Sequence, residues 1–363
     1  MIHLPFRFLS ATDSRSQSVA SETLSALVTK KTKKQQRINW ALGVLCLGWT
    51  GLLVGCSGSS TVATLGDWTV KSEFEGVART GASNFVLNNI AYMGTGLDNK
   101  SQRLQDFWAY DPAKNAWTQK ANYLGAARNF GVGFATSNNK GYIGTGINVN
   151  GDLLKDFYEY DPAANTWKKV ADFGGTARYQ AVSFAIGAKG YVGTGNDGNY
   201  LKDIWSYEPT SNTWAKVASY GGAKRVGAVS FVINNMAYVG TGNNNSTQQK
   251  DWYVYDPATD VWTQKLDFTT DQASIARSYG VGFAVGGKGY VTLGSGTSTG
   301  TTVWEYDPAT DLWASLGAFE GAPRAYAIGF AIGNKGYVTT GGSSLSAPYD
   351  DLWDFDPTIE QVL

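Results

Sequence analysis

From about Trp68 onward the hydrophobic positions come in short runs of small, β-branched and aromatic residues, each bounded by Gly, Asn or Asp-Pro. Such runs are strand signals with turns between them. They also repeat. A block of the form Gly-Tyr-Val-x-x-Gly, or a near variant, begins at Ala91, Gly141, Gly190, Ala237, Gly289 and Gly336, at intervals of 50, 49, 47, 52 and 47 residues. An Arg leads each unit (Arg79, Arg128, Arg178, Arg225, Arg277, Arg324), and a Phe follows it six residues later (Phe85, Phe134, Phe184, Phe231, Phe283, Phe330). Tyr-Asp-Pro comes next at Tyr110, Tyr160, Tyr255 and Tyr306, with variants at Tyr207 and Phe355. Seven residues beyond that aromatic stands Trp117, Trp167, Trp214, Trp262 or Trp313. Each unit therefore predicts four short strands. The first is small, as in Gly131-Val132-Gly133; the second is the Gly-Tyr-Val block. The third alternates aromatics, as in Ile204-Trp205-Ser206-Tyr207, and the fourth starts at the Trp.

About 50 residues per four-stranded unit exceeds the periods of solenoids and suits a propeller blade. Gly-Tyr-Val-Gly-Thr-Gly followed by Lys-Asp-x-Trp-x-Tyr-Asp-Pro and a Trp resembles kelch repeats in their bacterial secreted form, from Trp68 to the C-terminus. One departure is that only Gly341-Gly342 keeps the glycine pair found in many kelch repeats. The resemblance implies an all-β fold, a six-bladed kelch-type β-propeller of four-stranded antiparallel blades. Five Trp-led fourth strands follow the units and a sixth, at Trp68, precedes them. The N-terminal strand at Trp68 is therefore expected to complete the last blade and close the ring, leaving no exposed edge there. Inner strands crowded round an axis need small residues, and outer strands need Trp to fill the widening wedge.

Charge separates the front of the chain from the rest. Residues 1–55 hold seven Lys/Arg and two acids, and the remainder holds 23 basic against 28 acidic residues, a net of −5. A chain of that balance is no general nucleic-acid binder. Lys30-Lys31-Thr32-Lys33-Lys34-Gln35-Gln36-Arg37 is followed by Ile38 to Gly55, eighteen residues without a charge. Residues 1–55 thus read as an export signal. The stretch ends Leu53-Val54-Gly55-Cys56, which resembles the lipobox of bacterial lipoproteins. The resemblance implies that Cys56 is lipidated and becomes the first mature residue. Ser57 differs from the Asp retention signal of some such lipoproteins, so the outer membrane of a bacterial envelope is the expected location. Residues 1–27 are long and mixed in charge for a signal, and translation is expected to start near Val28. Residues 56–66, small and polar, read as a tether, and 67–363 as the propeller.

Candidate chemistry is sparse. His3, Cys46 and Cys56 are the only His and Cys, so the mature domain has no disulfide and no His- or Cys-ligated metal. The copper radical oxidases among secreted kelch proteins need His ligands and a Tyr–Cys crosslink, which this domain lacks. No cofactor or metal is expected. A feature present in every blade serves architecture first. The six Arg are therefore expected to ring one face as structural partners of Asp106, Asp156, Asp203, Asp251 and Asp351, with Thr302 the exception, each pair worth ~0–1 kcal/mol if exposed; the alternative is that they bind an anionic ligand at the channel mouth. The aromatics six residues after each Trp (Phe74, Tyr123, Phe173, Tyr220, Phe268, Phe319) are expected to be structural too. The loops between second and third strands, and the junctions between blades, vary in length and sequence and share one face. They offer Asp98, Asn148, Asn196, Tyr200, Asn243, Asp271, Gln272 and Tyr349 as ligand-binding candidates, although such residues are also turn formers. The expectation is a monomeric, lipid-anchored binding or scaffolding module for a glycan or protein, without enzymatic activity. The alternative is a carbohydrate-active enzyme similar to periplasmic kelch mutarotases of sialic acid.

Overall fold

The computed structural model describes residues 64–266, 276–296 and 300–361. Cys56, Phe268, Asp271 and Gln272, with the export signal and most of the tether, lie outside the described residues. Six four-stranded antiparallel sheets make six blades around an axis, and the described residues contain no helix. Blade three is representative: Val182–Ile186, Lys189–Gly193, Ile204–Glu208 and Thr213–Val217 run from the axis outward. The inner strands of the other blades are Ser83–Leu87, Val132–Thr136, Val229–Ile233, Val281–Val285 and Ile328–Ile332. Each is half-exposed at alternate positions, and those positions face the axis with small side chains such as Ala135, Ser183, Ser230 and Ala284.

The last blade closes as expected. Its outer strand is Leu65–Val70, paired with Leu352–Glu360. Trp68 stands opposite Phe355 in the register that sets Trp117 opposite Tyr110 and Trp214 opposite Tyr207. The outer strands begin just before their Trp, at Ala116, Thr166, Thr213, Val261 and Leu312, and at Leu65 in the closing blade.

Adjacent blades interlock through the repeated Phe. Phe85 of blade one lies so near Gly141 of blade two that a Cβ there would sit 2.0 Å from the ring. Phe134 does the same to Gly190 and Phe283 to Gly336, at 2.0 and 2.1 Å. The glycine of the Gly-Tyr-Val block is thus the hole into which the preceding blade's Phe fits. Where Ala91 and Ala237 replace it, they pack in the same clusters as Phe330 and Phe184.

The six Arg do not meet the condition of exposure on which the surface value depends. Their side chains are buried, at 0–3% exposure. Arg178 is typical: Nε donates to Thr176 O at 3.0 Å, Nη1 to Thr194 O at 3.0 Å, and both Nη to the Asp203 carboxylate at 2.7 and 2.8 Å. Arg79, Arg128 and Arg225 grip Asp106, Asp156 and Asp251 at 2.6–2.7 Å, and Arg324 grips Asp351. In blade five, where Thr302 replaces the Asp, Arg277 donates to Leu293 O at 3.1 Å. The aromatic six residues after the Trp lies against the guanidinium, 4.6–5.2 Å away for Phe74, Tyr123, Phe173, Tyr220 and Phe319. The surface value for an ion pair does not apply, because a cation removed from water must be matched donor by donor.

Candidate functional site

Two positions after its Arg, each blade places one residue at the rim of the axial channel: Gly81, Phe130, Gln180, Gly227, Tyr279 and Tyr326. Each donates its backbone N–H to the carbonyl of the residue before it around the ring, at 2.8–3.1 Å, so that six hydrogen bonds form a closed cycle. All six have left-handed backbones, with φ between 54° and 62°. A side chain in that conformation costs about 1–2 kcal/mol, which glycine avoids. Two blades use glycine, and four keep Phe, Gln or Tyr in spite of the cost. The glycines also make room. A Cβ on Gly81 would lie 2.7 Å from the Phe130 ring, and one on Gly227 would lie 2.4 Å from the Tyr279 ring.

The side chains above the cycle form a half-buried aromatic cluster. Tyr326 lies 5.4 Å from Phe130 and 4.6 Å from Tyr279, ring centre to ring centre, and Tyr179 is 6.4 Å from Phe130. The Tyr279 hydroxyl donates to Gln180 Oε1 at 3.2 Å. Burial raises the Tyr279 pKa, and neighbouring Tyr326, Tyr200 and Tyr179 raise it further; burial also raises that of Tyr326. Both phenols stay uncharged through the neutral range, so the cluster presents apolar faces with hydrogen-bonding tips. Below it, within the channel, lies a 290 Å³ cavity lined by small or uncharged residues, among them Asn84, Gly133, Ser183 and Ser230. Asn84 Nδ2 donates to Gly329 O at 3.1 Å, and Ser183 and Ser230 Oγ to Gly133 and Ser183 O at 2.9 Å, stitching the inner strands together.

The loops between second and third strands surround this mouth on the face expected. They pair with the blade junctions, as where Arg128 N bonds Leu104 O and Tyr123 N bonds Gln105 O. Of the candidates on them, several already use their oxygens in turns. Asp98 Oδ1 accepts from the N–H of Lys100 and Gln102 at 2.8 and 2.7 Å. Asn148 Oδ1 accepts from Asn150 and Asp152, and Asn196 Oδ1 from Gly198 at 2.7 Å. Asn243 Oδ1 accepts from Ser246 N at 3.0 Å, with the Tyr200 hydroxyl at 3.5 Å. Tyr349 lies against the Arg324 guanidinium, 4.5 Å away. Asn196 and Tyr200 are the candidates that stand near the aromatic cluster: Asn196 exchanges backbone hydrogen bonds with Tyr179 at 3.0 and 3.1 Å, and Tyr200 bridges Asn196. Phe130, Tyr179, Tyr279 and Tyr326 were missed by sequence reasoning. The signal for Phe130, Tyr279 and Tyr326 was available in the position two residues after each Arg, which varies from blade to blade; Tyr179 directly follows Arg178.

No family model matches the chain, and none of the curated proteins compared with it does. Among solved structures, that of YjhT is similar, with a TM-score of 0.66, over 78% of this chain and 95% of YjhT, at 16% identity. Likeness at that identity speaks for the fold alone, and with the strand order of the six sheets it makes the domain a kelch-like six-bladed β-propeller.

Proposed function

We propose that the protein is a lipid-anchored binding module of the bacterial envelope, which presents the loop face of its propeller to a glycan. The observation that carries this reading is the strained aromatic rim. Phe130, Tyr279 and Tyr326 occupy backbone positions that suit glycine, so their side chains are kept at a cost to folding. Clustered rings with amide and hydroxyl tips suit sugar faces, which offer C–H groups and hydroxyls together. The mutarotase-like alternative finds less support, because the described residues lining the channel carry no charged side chain for acid–base work.

The test uses the left-handed backbone itself. Tyr279→Gly with Tyr326→Gly suits the local φ, so the thermal midpoint is expected to hold while glycan-array binding by the full-length protein falls to background. Undiminished array binding by that folded variant would refute the choice of site.

A further inference from the structure

Outward from Tyr200, between the loop of blade three and its junction with blade four, runs an open groove of 580 Å³. Lys202, Lys216 and Lys224 line it, all exposed. Among the described residues none of these three makes an ion pair with a carboxylate. Comparison between blades shows why. In blade two Lys169 is held by Asp172 at 3.2 Å. The corresponding residues of blade three are Lys216 and Ser219, so the neutralising acid has been replaced while the lysine remains. The position before the Arg is Ala78, Ala127, Ala177, Ala276 or Pro323 in five units, and only here is it a lysine, Lys224. The one carboxylate lining the groove, Asp203, is fully engaged by Arg178 and by the Trp205 indole at 2.8 Å. A domain that is acidic overall thus carries a local surplus of positive charge.

We propose that this groove is the subsite for the carboxylates of an acidic polysaccharide whose sugar rings lie on the aromatic mouth. The proposal rests on the loop face being the binding face. It adds the class of ligand and a second contact region. Three lysines supply point charges without fixed geometry, which suits carboxylates spaced along a flexible chain. Tyr200 joins the groove to the cluster, since it lines the groove and its backbone bridges Asn196, which in turn bridges Tyr179 of the cluster. A free inorganic anion would use only the lysines. Duplex nucleic acid would meet the repulsion of a net acidic domain.

The test measures dissociation constants of the full-length protein for polygalacturonate, neutral dextran and duplex DNA at several salt concentrations. Polygalacturonate is expected to bind more tightly than dextran or DNA, with log affinity falling linearly in log salt. Lys202→Gln/Lys216→Gln/Lys224→Gln should weaken that binding at least roughly tenfold and flatten the salt slope by about one per lysine that contacts the chain. Its thermal midpoint should stay unchanged. The same affinity and slope in the triple variant, or equal binding of DNA by the wild type, overturns the subsite. Polygalacturonate binding no tighter than dextran binding, with both lost in Tyr279→Gly/Tyr326→Gly, overturns the subsite and leaves the glycan reading standing. Loss of polygalacturonate binding in the lysine variant, with full binding in the tyrosine variant, keeps the groove and overturns the mouth.

Discussion

A guanidinium taken wholly out of water needs an acceptor for nearly every donor, and Arg178 has them in two carbonyls and a bidentate carboxylate. Removing the carboxylate charge leaves a buried cation, so Asp203→Asn is expected to destabilise the domain by about 3–5 kcal/mol, measured by denaturant or thermal unfolding. The pH dependence follows the same bond. Burial raises the Asp203 carboxyl, but the hydrogen bonds from Arg178 and Trp205 and the Arg178 charge outweigh it, and the pKa lies below the ordinary carboxylate value. A depressed folded-state pKa contributes stability that is complete above about 3.9, the unfolded value, and disappears as pH falls through the folded one. The wild type should therefore lose stability steeply on the acid side of about pH 4, and Asp203→Asn should lose it less steeply. Curves of identical shape would rule out this assignment. The partnership of Arg and Asp was legible because it recurs at fixed spacing. Its burial was not, because spacing along a chain does not say how deeply a row of side chains is covered by the blade behind it.

At the scale of elements, one strand carries the closure. Trp68 packs edge-on against Phe319 and tilted against Phe355, both at 4.8 Å, and is nearly fully buried. Trp68→Ala should lower stability by about 3–5 kcal/mol. The half-buried Trp167 offers the comparison, and Trp167→Ala should cost less because part of its ring already faces water. Equal melting of the two variants would mean that the closing strand is no more critical than any other outer strand. Counting strands sufficed to find this closure, since six third strands were matched by only five following Trp-led partners. The ends of the strand were less legible, because Leu65-Gly66-Asp67 carries no turn signal to separate it from the tether. The rim residues escaped for a related reason. Gly81, Phe130, Gln180, Gly227, Tyr279 and Tyr326 share a backbone conformation and no side-chain type, so a search for recurring residues passes over them.

For the whole molecule, the fold was readable almost completely, because six copies of one pattern average out local ambiguity, whereas the ligand depends on what is not copied. The anchor belongs to this scale as well. Metabolic labelling with a fatty acid is expected to mark the wild type and to leave Cys56→Ala unlabelled; label retained in that variant would end the lipoprotein reading. The hydrogen-bonded cycle at the mouth has a consequence of its own. Its six peptide dipoles circulate head to tail, so they cancel, and none of their N–H groups is spare. The floor of the site therefore offers no free N–H and no net dipole to whatever rests on it. Selectivity is left to the six rim positions, one per blade and four of them carrying a side chain here, each replaceable without touching a strand, so relatives with the same scaffold could diverge widely in taste by changing single codons.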